Sequence, residues 1–506
     1  MLPRGRPGAG AVKLTRTWHV PVGGLVLMGC GAFALIGFPL DDVSHRLFGQ
    51  DVTLWGPTHL MLIGGAGLSL FGMLILLAEG RQANARQSAT AGGAEAGLEQ
   101  HSTRRATLMV MAARARTAGA CGGLLIGMSV YQGEFDFGVP QFRLLFQPVL
   151  IAVAAGVALT CARMVLGRGG ALAAVAFFLV VRGALALLVG GIFDHTTPHF
   201  PLYLVEGLLV EAVALTLGTR RALRFGLVSG GLIGTVGTLA EWGWSHAWMP
   251  LPWPGHMMGE ALTLTLPTGL AAGLLGAFAA GGLLRRPEVT ATALGWRSAI
   301  AAVLVIAATA AYLAPTSGGD GLRAAVGLQP AGPGRVVATV RFNHPEQVRD
   351  AEWLSSLAWQ GGARLHNQPL REIAPGVFRS EPMPVGGTWK TLLRVHRGST
   401  LAALPVFLPR DTAIPAAEVP AARSFDRAFT ADSQVLQRER KTDVPGWLWA
   451  TAGLVVLGFF VALLGLMGWA LTRVARTGGP SGPAAARPGP RSAPGPLPRV
   501  PAGAGA

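Results

Sequence analysis

The chain has few cysteines and few charged residues. Its three cysteines, Cys30, Cys121 and Cys161, each lie in an apolar run. This placement is typical of small buried side chains and argues against a disulfide framework or a thiolate metal site. Charged residues make up 13% of the 506 residues, whereas 51% are hydrophobic. Because the apolar runs are repeated and each is about 20 residues long, we predict a chain that crosses a bilayer many times.

Lysine and the common catalytic signatures are also scarce. Only Lys13, Lys390 and Lys441 are lysines, so arginine supplies nearly all of the positive charge behind the net charge of +16. This excess does not indicate a nucleic-acid partner, because the arginines follow the membrane topology. The chain contains no HExxH, Walker or GxSxG motif. We expect no cleavable signal peptide, since the first apolar run is long enough to span and lacks a clear cleavage site.

The apolar runs predict about ten membrane spans. They lie at roughly 20–40, 59–79, 110–130, 148–167, 170–193, 200–219, 225–243, 257–283, 294–314 and 446–472. Most arginines lie in the two tails and in alternate loops, whereas the four opposite hairpins hold only Arg46 and Arg143. By the positive-inside rule, both termini are cytoplasmic and the segment from about 315 to 445 is extracytoplasmic. The Arg, Ala and Gly bias suggests a bacterial genome, so we expect a bacterial plasma membrane.

The predicted fold is an all-α polytopic membrane bundle with an inserted extracytoplasmic β-sandwich before the last helix. The sandwich is predicted from short alternating runs such as RVVATVRF at 335–342, punctuated by Gly and Pro. The expected units are a basic cytoplasmic tail (1–19), a nine-span membrane domain (20–314), the sandwich (315–423), a polar linker or helix (424–445), the last span (446–472) and a disordered cytoplasmic tail (473–506). The expected partners are the lipid bilayer and other membrane subunits.

Acidic residues and histidines collect at the predicted outer edge of the membrane. We name its segments the first hairpin (DDVSHRLFGQDVTLWGPTH, 41–59), the second (GEFDFGVPQF, 133–142), the third (FDHTTPHFP, 193–201) and the fourth (AEWGWSHAWMPLPWPGH, 240–256). The first, third and fourth share one order: an acid, a His, a Pro, and a second His that opens the returning helix. The residues in this order are Asp41, His45 and His59; Asp194, His195 and His199; and Glu241, His246 and His256.

This order has a physical rationale as a metal site. Asp41 and His45 are four residues apart, so a continuing helix would place both on one face. A His beside a helix N-terminus is held in its neutral form, which is the form that ligates a metal. The alternative interpretation is an aromatic belt, marked by tryptophans such as Trp55 and Trp244, in which histidines only bind headgroups or loop carbonyls. On the metal hypothesis we expect Asp41, His45 and His59 to converge, with the other two hairpins close by.

The first hairpin resembles the C subunit of the particulate methane and ammonia monooxygenases. That subunit carries Asp-x3-His-x12-His between two membrane helices, with the last His after a Pro and a small hydroxyl residue. Asp41, His45 and His59 match this order and end in PTH, but thirteen residues separate the two histidines here. The resemblance implies a copper site at the membrane edge. In the outer domain, GVFRSEPMPVGGTW at 376–389 is similar to small periplasmic domains of copper-handling proteins, whereas His344, His366 and His396 are scattered and expected at the surface.

Three charged residues lie within predicted spans. Arg182 lies in the fifth span, and Glu206 and Glu211 lie in the sixth. Such charges usually face the bundle interior with a partner. Arg182 and Glu211 each lie about eleven residues from the third hairpin, and therefore at the same predicted depth in the membrane. We expect them to form a buried ion pair. The alternative is a proton or ion path, with Glu206 and Glu260 nearer its outer mouth.

Three functions remain open from the sequence. The first is a membrane protein with a copper site at its outer face, zinc being the other metal that suits imidazole and carboxylate. Oxidation of a small substrate is implied by the resemblance alone. The second is an ion- or proton-coupled transporter that uses Arg182, Glu206 and Glu211. The third is a membrane scaffold whose outer domain docks partners.

Overall fold

Among the described residues, helices predominate from residue 22 to residue 313, and strands dominate from residue 323 to residue 431. The computed structural model describes residues 10–49, 53–91, 100–361, 364–412, 414, 416–441 and 443–477. The helices are α1 (Val22–Phe48), α2 (Pro57–Ala91), α3 (Gln100–Ser129), α4 (Gly133–Asp136), α5 (Phe146–Leu166), α6 (Gly170–Ala186), α7 (Leu204–Leu217), α8 (Ala222–Leu232), α9 (Thr238–Ala247), α10 (Met258–Leu283), α11 (Pro287–Thr290), α12 (Ala293–Leu313), α13 (Asp432–Leu436) and α14 (Gly446–Arg476).

Eight helical segments in the described part of the chain are long and apolar enough to cross a membrane. They are Val22–Phe48, Pro57–Asn84, Phe146–Leu166, Gly170–Ile192, Ala222–Ala247, Gly255–Leu283, Ala293–Leu313 and Gly446–Arg476. The prediction of a multi-pass helical membrane protein is therefore confirmed. The two other predicted spans coincide with α3 and α7, and α7 has only 14 residues, short of the roughly 20 that a perpendicular span needs.

Two π-helical turns interrupt the helices near the third and fourth hairpins. One continues α6 over Leu187–Ile192, and the other joins α8 to α9 over Ile233–Gly237. Such turns are rare and occur frequently at functional sites. They lie on either side of α7, so the region around the start of α7 departs from regular helix geometry.

Helices α8 and α10 pack backbone against backbone along a line of glycines. A Cβ atom at Gly230 would collide with the carbonyl oxygen of Gly269, and one at Gly273 with that of Gly226. Small residues four apart allow this close approach, which stabilises helix pairs in lipid. The contact fixes the position of α9, which continues α8 and carries the acid of the fourth hairpin.

The β region between α12 and α14 contains two antiparallel sheets. The strands are β3 (Arg323–Pro330), β4 (Arg335–Phe342), β5 (Trp353–Trp359), β6 (His366–Pro369), β7 (Arg371–Ala374), β8 (Val377–Arg379), β9 (Met383–Pro384), β10 (Lys390–Arg397), β11 (Thr400–Phe407), β12 (Ser424–Ala428) and β13 (Thr430–Ala431), after a short N-terminal hairpin of β1 (Val12–Lys13) and β2 (His19–Val20). One sheet has the order β13-β11-β10-β5-β6 and the other β12-β3-β4-β8-β7, with β9 beside β4. Buried residues of both sheets, such as Val340 and Leu404, form one apolar cluster.

The end of the β region differs from the prediction. Residues 424–431, predicted as part of a polar linker or helix, are strands: Ser424–Ala428 pairs with β3, and Thr430–Ala431 pairs with β11. Their polar side chains lie on exposed edges of the two sheets, which is why the segment has a hydrophilic sequence. Helix α14 continues through Arg476, and the rest of the predicted disordered tail, from residue 478, lies outside the described residues.

The β region contacts the hairpins on the face at which α1 ends. Asn367 donates a hydrogen bond to the Gly138 carbonyl at 2.7 Å, and the Leu365 N–H donates one to the Thr196 hydroxyl at 2.7 Å. The segment after α13 reaches the first hairpin, where the Lys441 N–H bonds the Phe48 carbonyl at 2.8 Å. All of these contacts lie on one side of the helices, so the β region covers the hairpins.

Candidate metal site between the first two long helices

Asp41, His45 and His59 converge on one point at the first hairpin. One ligand atom from each lies within 4.8 Å of the others, and among the described residues this is the only group of three or more acids, histidines or cysteines with such spacing. The Asp41 Oδ1 atom lies 3.4 Å from His59 Nε2 and 3.8 Å from His45 Nε2. The predicted convergence of this trio is confirmed.

Helix continuity places the first two side chains. Helix α1 runs without a break from Val22 to Phe48, despite Pro39, so Asp41 and His45 lie one turn apart on the same face. Helix α2 begins at Pro57, whose missing N–H is harmless in a first turn. His59 therefore lies in the opening turn of α2 and points back to the end of α1.

Hydrogen bonds fix the orientation of His59 and Asp41. The His59 Nδ1 atom lies 2.5 Å from the Thr53 carbonyl, which can only accept, so Nδ1 carries the proton and Nε2 presents its lone pair to Asp41. The Thr58 hydroxyl donates to Asp41 Oδ1 at 2.6 Å. This arrangement is the one by which metal-ligating histidines are usually held.

A buried carboxylate of the second hairpin supports the loop that carries Thr53. Glu134 accepts hydrogen bonds from the Thr53 hydroxyl, from the Leu54 N–H at 2.9 Å and from the Gln141 N–H at 3.0 Å. Burial raises the pKa of Glu134, and these three hydrogen bonds oppose that rise. The second hairpin thus fixes the backbone that orients His59.

The donor set suits a transition metal. The His45 Nε2 atom is buried and has no hydrogen-bond partner in the described part of the chain, which leaves its position open to a ligand bond. The three side chains are 23–31% exposed, so solvent reaches the site. Two imidazole nitrogens and one carboxylate supply three ligands, and a metal held by three protein ligands keeps a position for water or a substrate.

The six predicted ligands of the third and fourth hairpins do not form a ligand group within the described residues. They have other partners or face solvent. Exposed Asp194 pairs with Arg364 at 2.5 Å, and His195 is exposed. His199 lies with Nδ1 3.2 Å from the Asp136 carbonyl and its ring 4.8 Å from that of Trp248, and burial lowers its pKa.

In the fourth hairpin the acid and the histidines lie apart. Glu241 is buried and accepts hydrogen bonds from the Tyr203 N–H at 2.6 Å and the Leu202 N–H at 3.1 Å. His246 is exposed and has Nδ1 2.9 Å from the Trp242 carbonyl of its own helix, and His256 is exposed. The reason is spacing: Glu241 and His246 are five residues apart, which turns them to different faces of α9.

The predicted pair of Arg182 and Glu211 is wrong. Arg182 binds Asp136 at 2.5 Å and also donates to the His199 carbonyl at 3.0 Å. Glu211 binds Arg163 at 2.7 Å and accepts from the Ala171 N–H at 2.9 Å. Arg182 and Ala171 are eleven residues apart on α6, about 16 Å along its axis, so the two charges lie near opposite ends of that helix.

Sequence reasoning missed several residues that build the site. Thr53 and Thr58 orient its ligands, and Glu134 and Asp136 anchor the hairpin beside it. Two acids two residues apart in the apolar stretch GEFDF were a usable signal, because such carboxylates are expensive to bury without partners. Comparison of the chain with protein-family models, with curated proteins and with solved structures finds no match.

Proposed function

We propose that this multi-pass membrane protein binds a transition-metal ion through Asp41, His45 and His59. One observation carries the proposal: three ligand atoms lie within 4.8 Å of one another. The Thr53 carbonyl supports it further by holding His59 in the tautomer that ligates through Nε2. A bound ion would supply Lewis-acid or redox chemistry at a position that solvent reaches.

Copper is the metal we favour, and the resemblance to the monooxygenase C subunit is its support. Zinc suits the same donors, and two histidines with one carboxylate are also the donor set of ferrous oxygenases. The role that follows is copper handling, or oxidation of a small substrate together with other membrane subunits. The β region would cover the site or deliver the ion, since its exit segment lies against the end of α1.

We also propose that α3 and α7 cross the membrane, which gives ten spans. Arg114, in α3, donates to the Leu166 carbonyl at the end of α5, and Ser129, at the other end of α3, bonds Tyr203 just before α7. After α7, the Thr219 carbonyl accepts from Arg286, beyond the far end of α10. These contacts support helices that run the full distance between the two faces of the bundle.

The two sheets of the β region would form a sandwich, supported by their shared apolar cluster. We propose that this sandwich lies outside a bacterial plasma membrane and that both termini lie inside, and the arginine distribution supports this orientation. Reporters that are active only in the cytoplasm should work when fused near residues 90 and 480, and should fail near residue 360. A cytoplasmic signal from residue 360 would overturn the topology, and with it the assignment of the metal site to the outer face.

The metal site is tested by loading three purified proteins: wild type, His45→Ala/His59→Ala, and the control His246→Ala/His256→Ala. The control removes two exposed histidines of the fourth hairpin that lie outside the site. Each protein, purified on a tag without histidine, is loaded separately with Cu(II), Zn(II) and Fe(II) and washed, and its bound metal is measured by elemental analysis. We expect wild type and control to retain equal stoichiometric amounts and the first variant to retain almost none.

Two results would contradict the proposal: no retention by wild type, or equal retention by all three proteins. A metal that wild type retains and the His45→Ala/His59→Ala variant loses is one that the site binds. If the site retains zinc or iron but not copper, the copper assignment fails while the site itself stands.

A further inference from the structure

A second group of polar side chains lies at the start of α7, away from the metal site. Glu206 is 1% exposed, and both of its carboxylate oxygens are buried with no hydrogen-bond partner in the described part of the chain. An ionised carboxylate in that state costs many kcal/mol to desolvate, so proteins pair or neutralise it. Burial of Glu206 therefore requires either a proton on its carboxyl group or a bound cation.

Glu241 lies beside Glu206. The Glu206 Oε1 atom is 3.0 Å from the position that a Cβ atom on Gly237 would occupy, and Gly237 lies one turn before Glu241 on the same helical segment. Glu241 in turn binds the N–H groups of Leu202 and Tyr203, which immediately precede α7. Both carboxyl groups thus lie where the π turn Ile233–Gly237 packs against the first turn of α7.

The local backbone explains why Glu206 is left unpartnered. A Glu at the third position of a helix usually reaches back to the N–H of the capping residue. Here the capping residue is Tyr203, in the left-handed conformation with φ 54°, and Glu241 takes its N–H instead. The usual partner of Glu206 is occupied by the second carboxylate.

We propose that Glu206 and Glu241 form a proton-binding carboxyl pair inside the membrane, with the proton held on Glu206. Glu241 is the charged member, because both of its oxygens accept backbone N–H groups, whereas no group among the described residues donates to Glu206. Proton uptake from water converts the Glu206 carboxylate to a neutral acid, and two like charges at close range favour the shared single proton.

A proton explains the geometry better than a metal cation. Calcium takes about six to eight oxygen ligands, but both Glu241 oxygens already accept N–H groups. The nearby hydroxyl of Tyr203 is also engaged, with Ser129 at 2.8 Å and the Gln132 amide at 2.9 Å. Of these groups in the described part of the chain, the Glu206 carboxyl is left to supply two free oxygens, fewer than calcium takes.

Other ionisable groups packed around α7 are paired or distant. Arg163 of α5 binds Glu211, Arg182 of α6 binds Asp136, and Arg224 lies exposed at the opening of α8. Among the described ionisable groups, Glu241 and Tyr203 are therefore those that face Glu206. This proposal does not depend on the metal site, which lies on other helices.

The test uses wild-type protein in lipid nanodiscs and a hydrophobic carbodiimide, which reacts with protonated carboxyl groups in apolar surroundings. Peptide mapping by mass spectrometry should find Glu206 modified at neutral pH and protected in alkaline buffer, with the exposed Glu288 unmodified in both. Protection by sodium, potassium or calcium ions at constant pH would show a cation site and overturn the proposal, as would an unmodified Glu206.

Infrared spectroscopy gives a second, independent readout. Wild type at neutral pH should show a protonated-carboxyl C=O band, shifted in heavy water, that is lost in Glu206→Gln and kept in the control Glu288→Gln. Glu241→Gln should keep the band at a shifted frequency, since the neighbouring charge is removed. A band that survives Glu206→Gln unchanged would place the proton elsewhere and contradict the assignment.

Discussion

The first and fourth hairpins carry the same residue types in the same order, yet only the first brings them together. Asp41 and His45 are four residues apart on one continuous helix, about 40° apart around its axis, and meet His59. Glu241 and His246 are five apart, about 140°, so the acid turns inward to Tyr203 while the histidine faces solvent. Order alone therefore does not predict a metal site, because the spacing on the helix decides which side chains meet.

The third hairpin shows a different way to hold a turn. Its acid, Asp194, follows the π turn Leu187–Ile192 and adopts a left-handed conformation with φ 56°. Arg182 of α6 anchors this hairpin, because it binds both Asp136 of the second hairpin and the His199 carbonyl of the third. We infer that the third hairpin is stabilised by a buried ion pair, whereas the residues of the first hairpin are arranged as metal ligands. Mutations that compare the stability of the two hairpins can test this difference.

The largest expected effect is on the stability of the third hairpin. Asp136 and Arg182 are nearly buried, so Asp136→Leu strands a charge and should lower the free energy of unfolding by about 3–5 kcal/mol. The double variant Asp136→Leu/Arg182→Met should recover most of that loss, because no charge is left unpaired. Thermal unfolding in detergent measures both.

The matched control for this pair is at the first hairpin. His45→Ala, which removes a partly exposed ligand, should change the unfolding temperature of metal-free protein far less than Asp136→Leu does. If the two changes have equal effects, or if the double variant is as unstable as Asp136→Leu alone, the contrast between the hairpins is wrong.

The second-largest expected effect is a loss of metal affinity when the spacing between Asp41 and the following histidine is changed. Exchanging His45 and Arg46 leaves composition unchanged but moves the His to five residues after Asp41, the spacing of the fourth hairpin. Loss of an outer partner already weakens metal binding about 10–100-fold, so loss of a ligand should weaken it by more than about 100-fold. Competition with a chelator of known affinity measures the change.

The exchange of Asp42 and Val43 is the matched control for this experiment. It alters neighbouring positions of the same helix turn and leaves Asp41 and His45 in place, so affinity should stay within about threefold of wild type. An unchanged affinity after the His45 and Arg46 exchange would mean that the site does not use the helix face we describe.

Patterns local to one helix could be predicted from the sequence, whereas contacts between helices could not. Apolar runs predicted the spans, and the four-residue spacing predicted the facing of Asp41 and His45, since both depend on helix geometry alone. Equal depth in the sequence did not predict the partner of Arg182, because that partner depends on where the second hairpin folds and on the short length of α7. Likewise His396, expected at the surface, is fully buried, and its ring packs against Trp353 of the neighbouring strand β5.

A smaller effect is expected from the hydroxyl that holds Asp41. Thr58→Val removes the donor at 2.6 Å and keeps the side-chain volume, so metal affinity should fall about 10-fold. Thr263→Val is the control, since the hydroxyl of the exposed Thr263 bonds the Gly259 carbonyl of its own helix, away from the metal site. Equal affinities for the two variants would show that the Thr58 hydroxyl does not orient the ligand.

The smallest expected effect is a pH dependence of stability that distinguishes the buried His396 from the histidines of the first hairpin. His396 is fully buried against Trp353, with ring centroids 3.9 Å apart, and neither ring nitrogen has a hydrogen-bond partner in the described part of the chain. Burial, reinforced by the charges of Arg394 and Arg143, holds the pKa of His396 well below its usual value of 6.5. This histidine is neutral in the folded protein. His45 and His59, by contrast, are partly exposed and lie beside Asp41.

The sign of the pH effect follows from which state takes up the proton. Below pH 6.5 the unfolded chain protonates His396 and the folded chain does not, so the free energy of unfolding falls as the pH falls and is unaffected above that range. About half a pH unit below 6.5, the loss should be about 0.8 kcal/mol. His396→Phe keeps a ring against Trp353 and should remove this part of the pH dependence in metal-free protein, while His45→Ala should leave it in place. If the acid-induced loss persists in His396→Phe and disappears in His45→Ala, the pH-sensitive histidine lies at the first hairpin and not in the β region.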